Sequence, residues 1–235
     1  HHELQEEIPP ADVVVNPHQK DCPYPYKNLC GAGVAWKLVS ALWEQLGVPE
    51  QELYEDLLLF AGFATVGDVM NLTGENRILV KEALKLLKTT THPGISALIE
   101  VNEISRETIS AFHIGFVLGP CINASGRLDT AKRALELLKT TDYEKALVKA
   151  AELKALNDER KSMTDDGVQQ ALDQIENSDM KGDRVLVIYL PDCHESLAGI
   201  IAGRIRERYY RPVFVLTRSQ DGVKGSGRSI ETYSM

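Results

Sequence analysis

The sequence predicts an α/β protein in which a helix-rich first part is joined by one long helix to a small α/β unit. Three observations predict this class. Helical patterns recur between residues 31 and 139, no proline interrupts residues 142–176, and a strand–helix–strand order occupies residues 184–217. We therefore expect three regions, which are residues 1–140, 141–180 and 181–235.

The first region opens with a predicted strand and a predicted helix. Ala11–Asn16 is rich in valine and ends before a proline, which is typical of a short buried strand. A helix is expected over Gly31–Leu46, because Gly47 suits the position after a helix and Pro49 prevents continuation. Its apolar residues repeat every four positions, which predicts a core-facing stripe of Val34, Leu38, Leu42 and Leu46.

More helices are predicted in the rest of the first region. The pattern predicts a helix, or a helix that passes into a strand, over Glu50–Ala64. Helical composition also predicts helices over Glu75–Leu87 and Thr130–Lys139. The pattern does not distinguish helix from strand in two segments, Ser96–Glu103 and Thr108–Leu118.

The stretch Asp142–Glu176 predicts the joining helix. A continuous helix of that length would span roughly 50 Å, at 1.5 Å per residue. Only Gly167 disturbs its helical composition, so two helices broken near Gly167 are the alternative.

The last region has the pattern of a small α/β unit. Arg184–Leu190 is a β-branched run of strand length, Leu197–Arg208 is a helix with closely spaced glycines, and Pro212–Thr217 is a second strand.

Charge and cysteine content narrow the function classes. The net charge of −8 argues against a general coat protein of duplex DNA. Residues 201–235 nevertheless hold seven basic and three acidic side chains, so a polyanion is expected to bind there. The four cysteines are far apart, and no apolar run approaches membrane-spanning length. We expect a protein of the reducing cytoplasm without a structural zinc site or a membrane partner.

Two glycine-containing segments suggest a phosphate-bearing substrate. Lys224–Ser229 and Gly119–Arg127 each combine small residues with one arginine, and both are predicted to be loops. Backbone N–H groups can approach an anion closely where side chains are small, and arginine binds phosphate oxygens with two parallel hydrogen bonds. The alternative is a pair of ordinary glycine turns with exposed arginines.

Three further places carry candidate chemistry. His1 and His2 are either the remnant of a purification tag or ligands of a Mn²⁺ or Zn²⁺ ion. Asp68 is either a ligand of a hard cation or the cap of the next helix. His194–Arg204 runs into a helix whose Gly199 and Gly203 share one face, which suits either an anion at the helix N-terminus or tight packing on a sheet.

Taken together, the motifs resemble the RecJ-type single-stranded-DNA exonucleases of the DHH phosphoesterase superfamily. His1-His2 is similar to the end of the Asp-His-His motif, and residues 16–34 and 67–77 are similar to the segments that come after it in that family. Residues 118–127 resemble the next motif of the family. His194–Arg204 and Lys224–Ile230 resemble the phosphate-binding parts of the associated DHHA1 domain.

The resemblance implies a fold and a set of roles. Residues 1–140 would be the C-terminal part of a helix-rich DHH domain with parallel strands, and residues 181–235 a partial DHHA1 domain. His1 and Asp68 would bind Mn²⁺ or Mg²⁺ in a two-metal site, and His2 would lie at the scissile phosphate. The residues expected to hold the DNA backbone are Asn123, Arg127, His194, Gly199, Lys224, Ser226, Gly227, Arg228 and Ser229.

The implied reaction is 5′→3′ hydrolysis of single-stranded DNA to 5′-mononucleotides, in DNA repair and recombination, with a single-strand-binding protein as a further partner. The family's early aspartate motifs and its OB-fold are absent from this sequence. We therefore expect an incomplete metal site and an inactive fragment. The alternatives are a nano-RNase or cyclic-dinucleotide phosphodiesterase of the same superfamily, or a non-catalytic DNA-binding scaffold of replication.

Overall fold

The computed structural model describes residues 1–4, 8, 10–47, 54–220 and 222–233. Their elements are arranged along the chain as a helical first part and an α/β second part, which confirms the predicted fold class. The chain divides into two compact units. The first comprises His1–Ile122 and Ala134–Ala151, and the second comprises Asn123–Arg133 and Glu152–Met235.

The first helix, α1 (Gly31–Leu46), has the predicted bounds. The Cys30 sulfur accepts a hydrogen bond from the Gly33 N–H at its start, and Gly47 ends it in the left-handed conformation with φ of 63°. The predicted core-facing stripe is wrong, because Leu38, Leu42 and Leu46 are exposed in the structure. Their spacing shows that they share a face, but spacing alone does not show whether that face is covered. Pro49 lies outside the described residues.

The predicted strand at Ala11–Asn16 is also wrong. The segment has no regular secondary structure, and the side chains of Val13 and Val15 are 77% and 52% exposed. A strand requires a partner for its backbone groups, and the described residues provide none for this segment. Its β-branched composition was therefore not sufficient to predict a strand.

Helices α2 (Tyr54–Gly67) and α3 (Gly74–Thr89) pack closely in the first unit. The predicted helix over Glu50–Ala64 is confirmed from Tyr54 onward, and residues 50–53 lie outside the described ones. Gly62 allows the close approach: a Cβ there would lie 2.6 Å from the Leu79 carbonyl oxygen and closer still to the Ala83 Cβ. Any larger residue at position 62 would push the two helices apart.

The segments that the sequence left open are helical. Helix α4 (Pro93–Val101) covers most of Ser96–Glu103, and Thr108–Leu118 contains α5 (Ala111–His113) and then a π-helical turn at Ile114–Leu118. In this wider turn the Gly119 N–H donates to the Ile114 carbonyl oxygen. Helix α6 (Gly119–Leu128) begins directly after the turn, so the loop predicted at Gly119–Arg127 is wrong. Gly119 leaves room for the Ile114 carbonyl oxygen, which a Cβ there would approach to 2.7 Å, whereas a Cβ at Gly126 would make only an ordinary contact.

A loop before α1 is held against the start of α3 by polar contacts. The Tyr24 hydroxyl donates to both Glu75 carboxylate oxygens at 2.6 and 2.8 Å, and Lys37 pairs with the same carboxylate at 2.7 Å. The Tyr26 hydroxyl donates to the Thr73 carbonyl oxygen at 2.7 Å. The contacts of Tyr24 and Lys37 thus link the loop, α1 and α3 through one side chain, that of Glu75.

The charge of Glu75 depends on these neighbours. Partial burial acts to raise the pKa of Glu75, but hydrogen bonds from Lys37 and Tyr24 outweigh it, so the pKa lies below its ordinary value of 4.5. Burial also opposes the charge of Lys37, yet the contacts with Glu75 and Tyr24 raise its pKa above 10.5. Both groups are therefore charged near neutral pH and hold each other in place.

Helix α7 (Lys132–Lys139) precedes α8 (Tyr143–Glu176), which is a single helix of 34 residues. Of the two alternatives for this stretch, the structure has the continuous helix. Gly167 lies where a Cβ would come within 2.5 Å of the Ile201 Cδ1, so glycine there permits packing rather than breaking the helix. Among the described residues, no helix is both long and apolar enough to cross a bilayer.

The second unit contains a three-stranded sheet in the order β1-β2-β3, formed by β1 (Leu186–Tyr189), β2 (Val213–Ser219) and β3 (Gly222–Arg228). Strands β1 and β2 are parallel and are joined through α9 (Ala198–Tyr209), as predicted, whereas β3 is antiparallel to β2. A core of aliphatic side chains lies between the sheet and the helices, and it includes Ile188, Ile201, Ile205, Val213 and Val215.

We predict that Glu75→Gln lowers the free energy of unfolding by about 1.5–3 kcal/mol at pH 7, because it removes a charge-assisted pair of hydrogen bonds. Since the folded pKa of Glu75 is lowered, its contribution is complete above about pH 4.5 and is lost as pH falls through the folded value. The difference between the two proteins should therefore shrink in acid.

The measurement is urea unfolding detected by tryptophan fluorescence at several pH values. Both tryptophans, Trp36 and Trp43, lie in α1, so the signal reports on the first unit. Glu82→Gln on the same helix is the control, because Glu82 forms a surface pair with Lys85 and should cost less than about 1 kcal/mol. Equal losses for the two variants would contradict the prediction.

Candidate functional site

The alternation of strand β3 places one set of polar side chains toward helix α9. Lys224, Ser226 and Arg228 are two residues apart, so they share one face of the sheet, and Gly225 and Gly227 fall on the other. The loop predicted for Lys224–Ser229 is therefore wrong over residues 224–228, which form a strand. These residues are held in place by pairing with β2 rather than by a glycine turn.

Arg228 and Ser226 meet the first turn of α9 at Gly199. A Cβ at Gly199 would lie 2.6 Å from the Arg228 Nη2 and 2.9 Å from the Ser226 Oγ, so a larger residue there would displace both side chains from these positions. Within this group the Arg228 Nη1 donates to the Ser226 Oγ at 3.0 Å and to the Gly227 carbonyl oxygen at 2.7 Å. We call Gly199, Ser226 and Arg228 the glycine cradle.

Arg127 reaches the same part of the second unit from helix α6. Its Nη1 donates to the Ser196 carbonyl oxygen at 3.1 Å, three residues before Gly199. The two arginines that the sequence singled out, far apart along the chain, are thus both at the start of α9. Asn123 lies one turn before Arg127 on α6 and is exposed, so both side chains fall on one face of that helix.

The short turn before α9 carries two more of the predicted residues. The His194 Nδ1 accepts from the Ser196 N–H at 3.3 Å and lies 2.8 Å from the Ser196 Oγ, so His194 caps the 3₁₀ turn Glu195–Leu197. Lys224 pairs with Glu195 at 2.9 Å. The hydrogen bond and charge of Lys224 lower the pKa of Glu195. Lys224 therefore already has a carboxylate partner. The last predicted residue, Ser229, comes directly after the end of β3 and is half-buried.

The electrostatics of the cradle favour an anion. A helix N-terminus carries a partial positive charge, and α9 directs that end toward the cradle residue Gly199. Arg127 and Arg228 add two full positive charges, and neither side chain has a carboxylate partner among the described residues. The Ser226 hydroxyl supplies a further donor. This combination of donors and charge is typical of a phosphate site.

In the first unit, His1 and Asp68 come together as expected. The His1 Nδ1 lies 3.6 Å from an Asp68 carboxylate oxygen, and Asp68 comes directly after the last residue of α2. Asp68 does not cap α3, whose N-cap is Thr73. The rings of His1 and His2 have centroids 4.0 Å apart, and His2 is exposed. The His1 ring also packs near Gly31, where a Cβ would be 3.2 Å from its Cδ2.

The donor atoms of His1 and Asp68 are of the type that Mn²⁺ and Mg²⁺ accept, since these ions bind carboxylate oxygen and Mn²⁺ also binds imidazole. Two side chains do not complete a coordination sphere. Within the part of the chain that the structure describes, no group of three histidine, cysteine or acidic side chains could hold a metal. The residues present thus offer donors for part of a divalent-metal site, and their role as metal ligands stays a prediction.

Sequence analysis missed two contributors. Glu195 holds Lys224, but the two residues are 29 positions apart and no sequence pattern links them. The Ser196 carbonyl oxygen positions Arg127, and a backbone acceptor leaves no signal in side-chain identity. The alternation of Lys224, Ser226 and Arg228 was visible, however, and it could have indicated a strand.

The chain was compared with known proteins. No family model matched it. The RecJ single-stranded-DNA-specific exonuclease of Dickeya dadantii is 38% identical over 98% of this chain and 42% of its own length. RecJ of Escherichia coli is 37% identical over 100% of this chain and 43% of its own length. The chain thus spans about two fifths of the length of these curated relatives.

Solved structures give the same result. The crystal structure of Thermus thermophilus RecJ in complex with Mn²⁺ matches with a TM-score of 0.83 and 33% identity, covering 98% of this chain and 33% of that one. A crystal structure of exonuclease RecJ bound to manganese matches with a TM-score of 0.82 and 34% identity, covering 99% of this chain and 56% of the other. The chain is therefore related, along nearly its whole length, to one segment of the RecJ exonucleases, as its motifs predicted.

Proposed function

We propose that this chain is the part of a metal-dependent single-stranded-DNA exonuclease that holds the DNA backbone and supplies some of the metal ligands. The reaction is stepwise 5′→3′ hydrolysis to 5′-mononucleotides, in DNA repair and recombination. The observation that carries the proposal is the glycine cradle, where Arg228 and Ser226 meet the start of α9 beside Arg127. The relatives named as single-stranded-DNA-specific exonucleases support the choice of substrate.

The chemistry of the cradle favours the DNA backbone over the bases. Guanidinium groups, a hydroxyl and a helix N-terminus all donate to phosphate oxygens, and such contacts carry no base identity. No aromatic side chain belongs to the cradle, so it offers no surface on which a base could stack. A site of this kind binds successive phosphates of any sequence, as a stepwise exonuclease requires.

The metal site of the proposal rests on His1 and Asp68. Structures of the relatives are described as complexes with Mg²⁺ or Mn²⁺, so we assign the same ions to this chain. When bound, the ions supply Lewis-acid stabilisation of charge on the phosphate and a water of lowered pKa. The imidazole of His1 and the carboxylate of Asp68 would hold one of them. We assign His2 to the scissile phosphate as a hydrogen-bond donor or acid.

The same proposal includes the binding partners and the cellular location of the protein. The partners are single-stranded DNA and a single-strand-binding protein, and the location is the cytoplasm. The uninterrupted α8 supports an exonuclease of this type over the nano-RNase and cyclic-dinucleotide phosphodiesterase alternatives, whose domain connections are shorter. The non-catalytic scaffold of replication is the second alternative, in which the cradle binds DNA without hydrolysing it.

We predict that the isolated chain releases no nucleotides above the buffer blank from a labelled single-stranded oligonucleotide with Mn²⁺ present. His1 and Asp68 alone cannot complete a two-metal site. The measurement is gel or chromatographic analysis of the products, with the E. coli relative as the active control. Clear Mn²⁺-dependent release of mononucleotides by this chain would contradict the prediction without affecting the cradle.

We predict that Arg228→Ala weakens binding of an oligothymidylate by roughly tenfold to a hundredfold, because a charge-assisted hydrogen bond to phosphate contributes about 1.5–3 kcal/mol. Fluorescence anisotropy at several salt concentrations measures it, and the salt dependence should also become shallower. Arg208→Ala is the control, since Arg208 lies at the opposite end of α9. An unchanged affinity would remove Arg228 from the site.

We predict that Gly199→Ala reduces oligothymidylate affinity although it removes no charge. The added Cβ must displace the guanidinium of Arg228 and the hydroxyl of Ser226. Gly203→Ala is the matched control on the same helix face, because a Cβ there meets nothing within 4 Å. Circular dichroism should show equal helix content in both variants. Equal affinities of the two alanine variants would show that the cradle geometry does not matter for binding.

A further inference from the structure

A row of positive charges lies along one face of helix α3 in the first unit. Arg77, Lys81, Lys85 and Lys88 are spaced at intervals of four, four and three residues, so their side chains lie on the same side of the helix. All four are exposed. Lys85 pairs with Glu82, while no ion pair involves the other three among the described residues. We call these four residues the α3 cationic row.

The row forms the rim of a cleft with a volume of about 650 Å³. The rest of its lining is largely apolar: Val80 and Leu84 come from α3 itself, Ile109 precedes α5, and Ala111 begins it. Val80 and Ile109 are each 5% exposed, so they belong to the core and give the cleft a fixed floor. The cleft thus combines a rigid aliphatic floor with a cationic rim.

The charge of this cleft contrasts with that of the chain. Four of the eleven side chains that line it are cationic and none is acidic, in a protein whose net charge is −8. Like charges three or four residues apart repel each other, and acidic residues at the same spacing would offset that repulsion. Here only Glu82 provides such balance. A surface of this kind attracts and orients an anionic partner.

We propose that this cleft is a docking groove for an acidic peptide segment of a partner protein, held by aliphatic anchor residues on the floor and by carboxylates on the rim. The α3 cationic row extends about 17 Å along the helix axis, the length of about five residues in extended conformation. Apolar anchors in a cleft give such a segment affinity, and charge gives it register. The proposal does not depend on the exonuclease assignment.

The lining of the cleft favours a peptide over nucleic acid. A site for the phosphate backbone consists mainly of hydrogen-bond donors, as the glycine cradle does. This cleft instead has an apolar floor of valine, leucine, isoleucine and alanine, which offers nothing to a phosphate, and no aromatic side chain on which a base could stack. Aliphatic floors suit leucine-like anchors, which nucleic acids do not have. A peptide of alternating aliphatic and acidic residues is therefore the partner chemistry that fits.

The test uses the whole chain and a fluorescein-labelled peptide of about seven residues in which leucine and aspartate alternate. Matched peptides alternate serine with aspartate, or leucine with lysine. Binding is measured by fluorescence anisotropy for the wild type, for Lys81→Glu/Lys85→Glu, and for Lys132→Glu/Lys139→Glu. The last variant is the control, because it makes the same charge change at exposed positions of α7. Lys81→Gln/Lys85→Gln is measured too, in case the reversed charges unfold the chain.

We expect the leucine–aspartate peptide to bind about tenfold more weakly to either double variant of α3, and equally well to the α7 control. The serine–aspartate and leucine–lysine peptides should bind at least about tenfold more weakly than leucine–aspartate. Absence of binding, or equal binding of the serine–aspartate peptide, overturns the groove. If oligothymidylate displaces the peptide, the cleft is instead a nucleic-acid site. If the wild type self-associates and the α3 variants do not, the cleft is instead an interface with a second copy of this chain. Either result replaces the proposal.

Discussion

The candidate phosphate site depends on the pairing register of β3 against β2. Val213 pairs with Arg228 and Val215 with Ser226, so both polar residues face the start of α9. Side chains alternate across a strand, and a shift by one residue would turn Arg228 to the opposite face. Binding chemistry in the second unit therefore depends on a backbone feature, which the apolar core under β2 keeps in place.

Small residues then decide how closely the elements approach. At Gly199 the missing side chain leaves space for a guanidinium group, and at Gly167 it leaves space for Ile201. At Gly62 it lets two helices of the first unit meet at their backbones. A helical glycine costs about 1 kcal/mol relative to alanine, so each of these positions gives up helix stability for a close contact. Only the contact at Gly199 involves the charged groups of a candidate site.

Much of the fold could be predicted from the sequence, because periodicity reports local structure well. The helix α1, the uninterrupted α8 and the strand–helix–strand order of the second unit were predictable from spacing and composition. The segments Gly119–Arg127 and Lys224–Arg228 were predicted as loops because glycine usually marks turns, whereas here it permits packing in a helix and a strand. The exposure of Leu38 and Val13 could not be predicted, since burial depends on neighbours that spacing does not specify.

The candidate site shows the same division. Residue types alone singled out Arg127, Arg228, His1 and Asp68. In the structure Arg127 donates to the Ser196 carbonyl oxygen, Arg228 lies against Gly199, and His1 lies beside Asp68. The partners that hold them could not be predicted from sequence, because the Ser196 carbonyl oxygen and Glu195 are brought near only by the tertiary fold. Side-chain identity suggested phosphate and metal chemistry, which stays a prediction, whereas the geometry of these residues could not be predicted.

The π-helical turn at Ile114–Leu118 absorbs one residue more than an α-helical turn holds. The Gly119 N–H closes it on the Ile114 carbonyl oxygen. Because the wider turn takes up the extra residue, the side chains of α6 keep the direction that a regular helix one residue shorter would give them, and Cys121 is fully buried beside Asn102. One further residue inserted here would have no wider turn to absorb it, so it would rotate α6 by about 100° around its axis and turn Cys121 away from Asn102. This stretch should therefore tolerate the loss of one residue better than the gain of one.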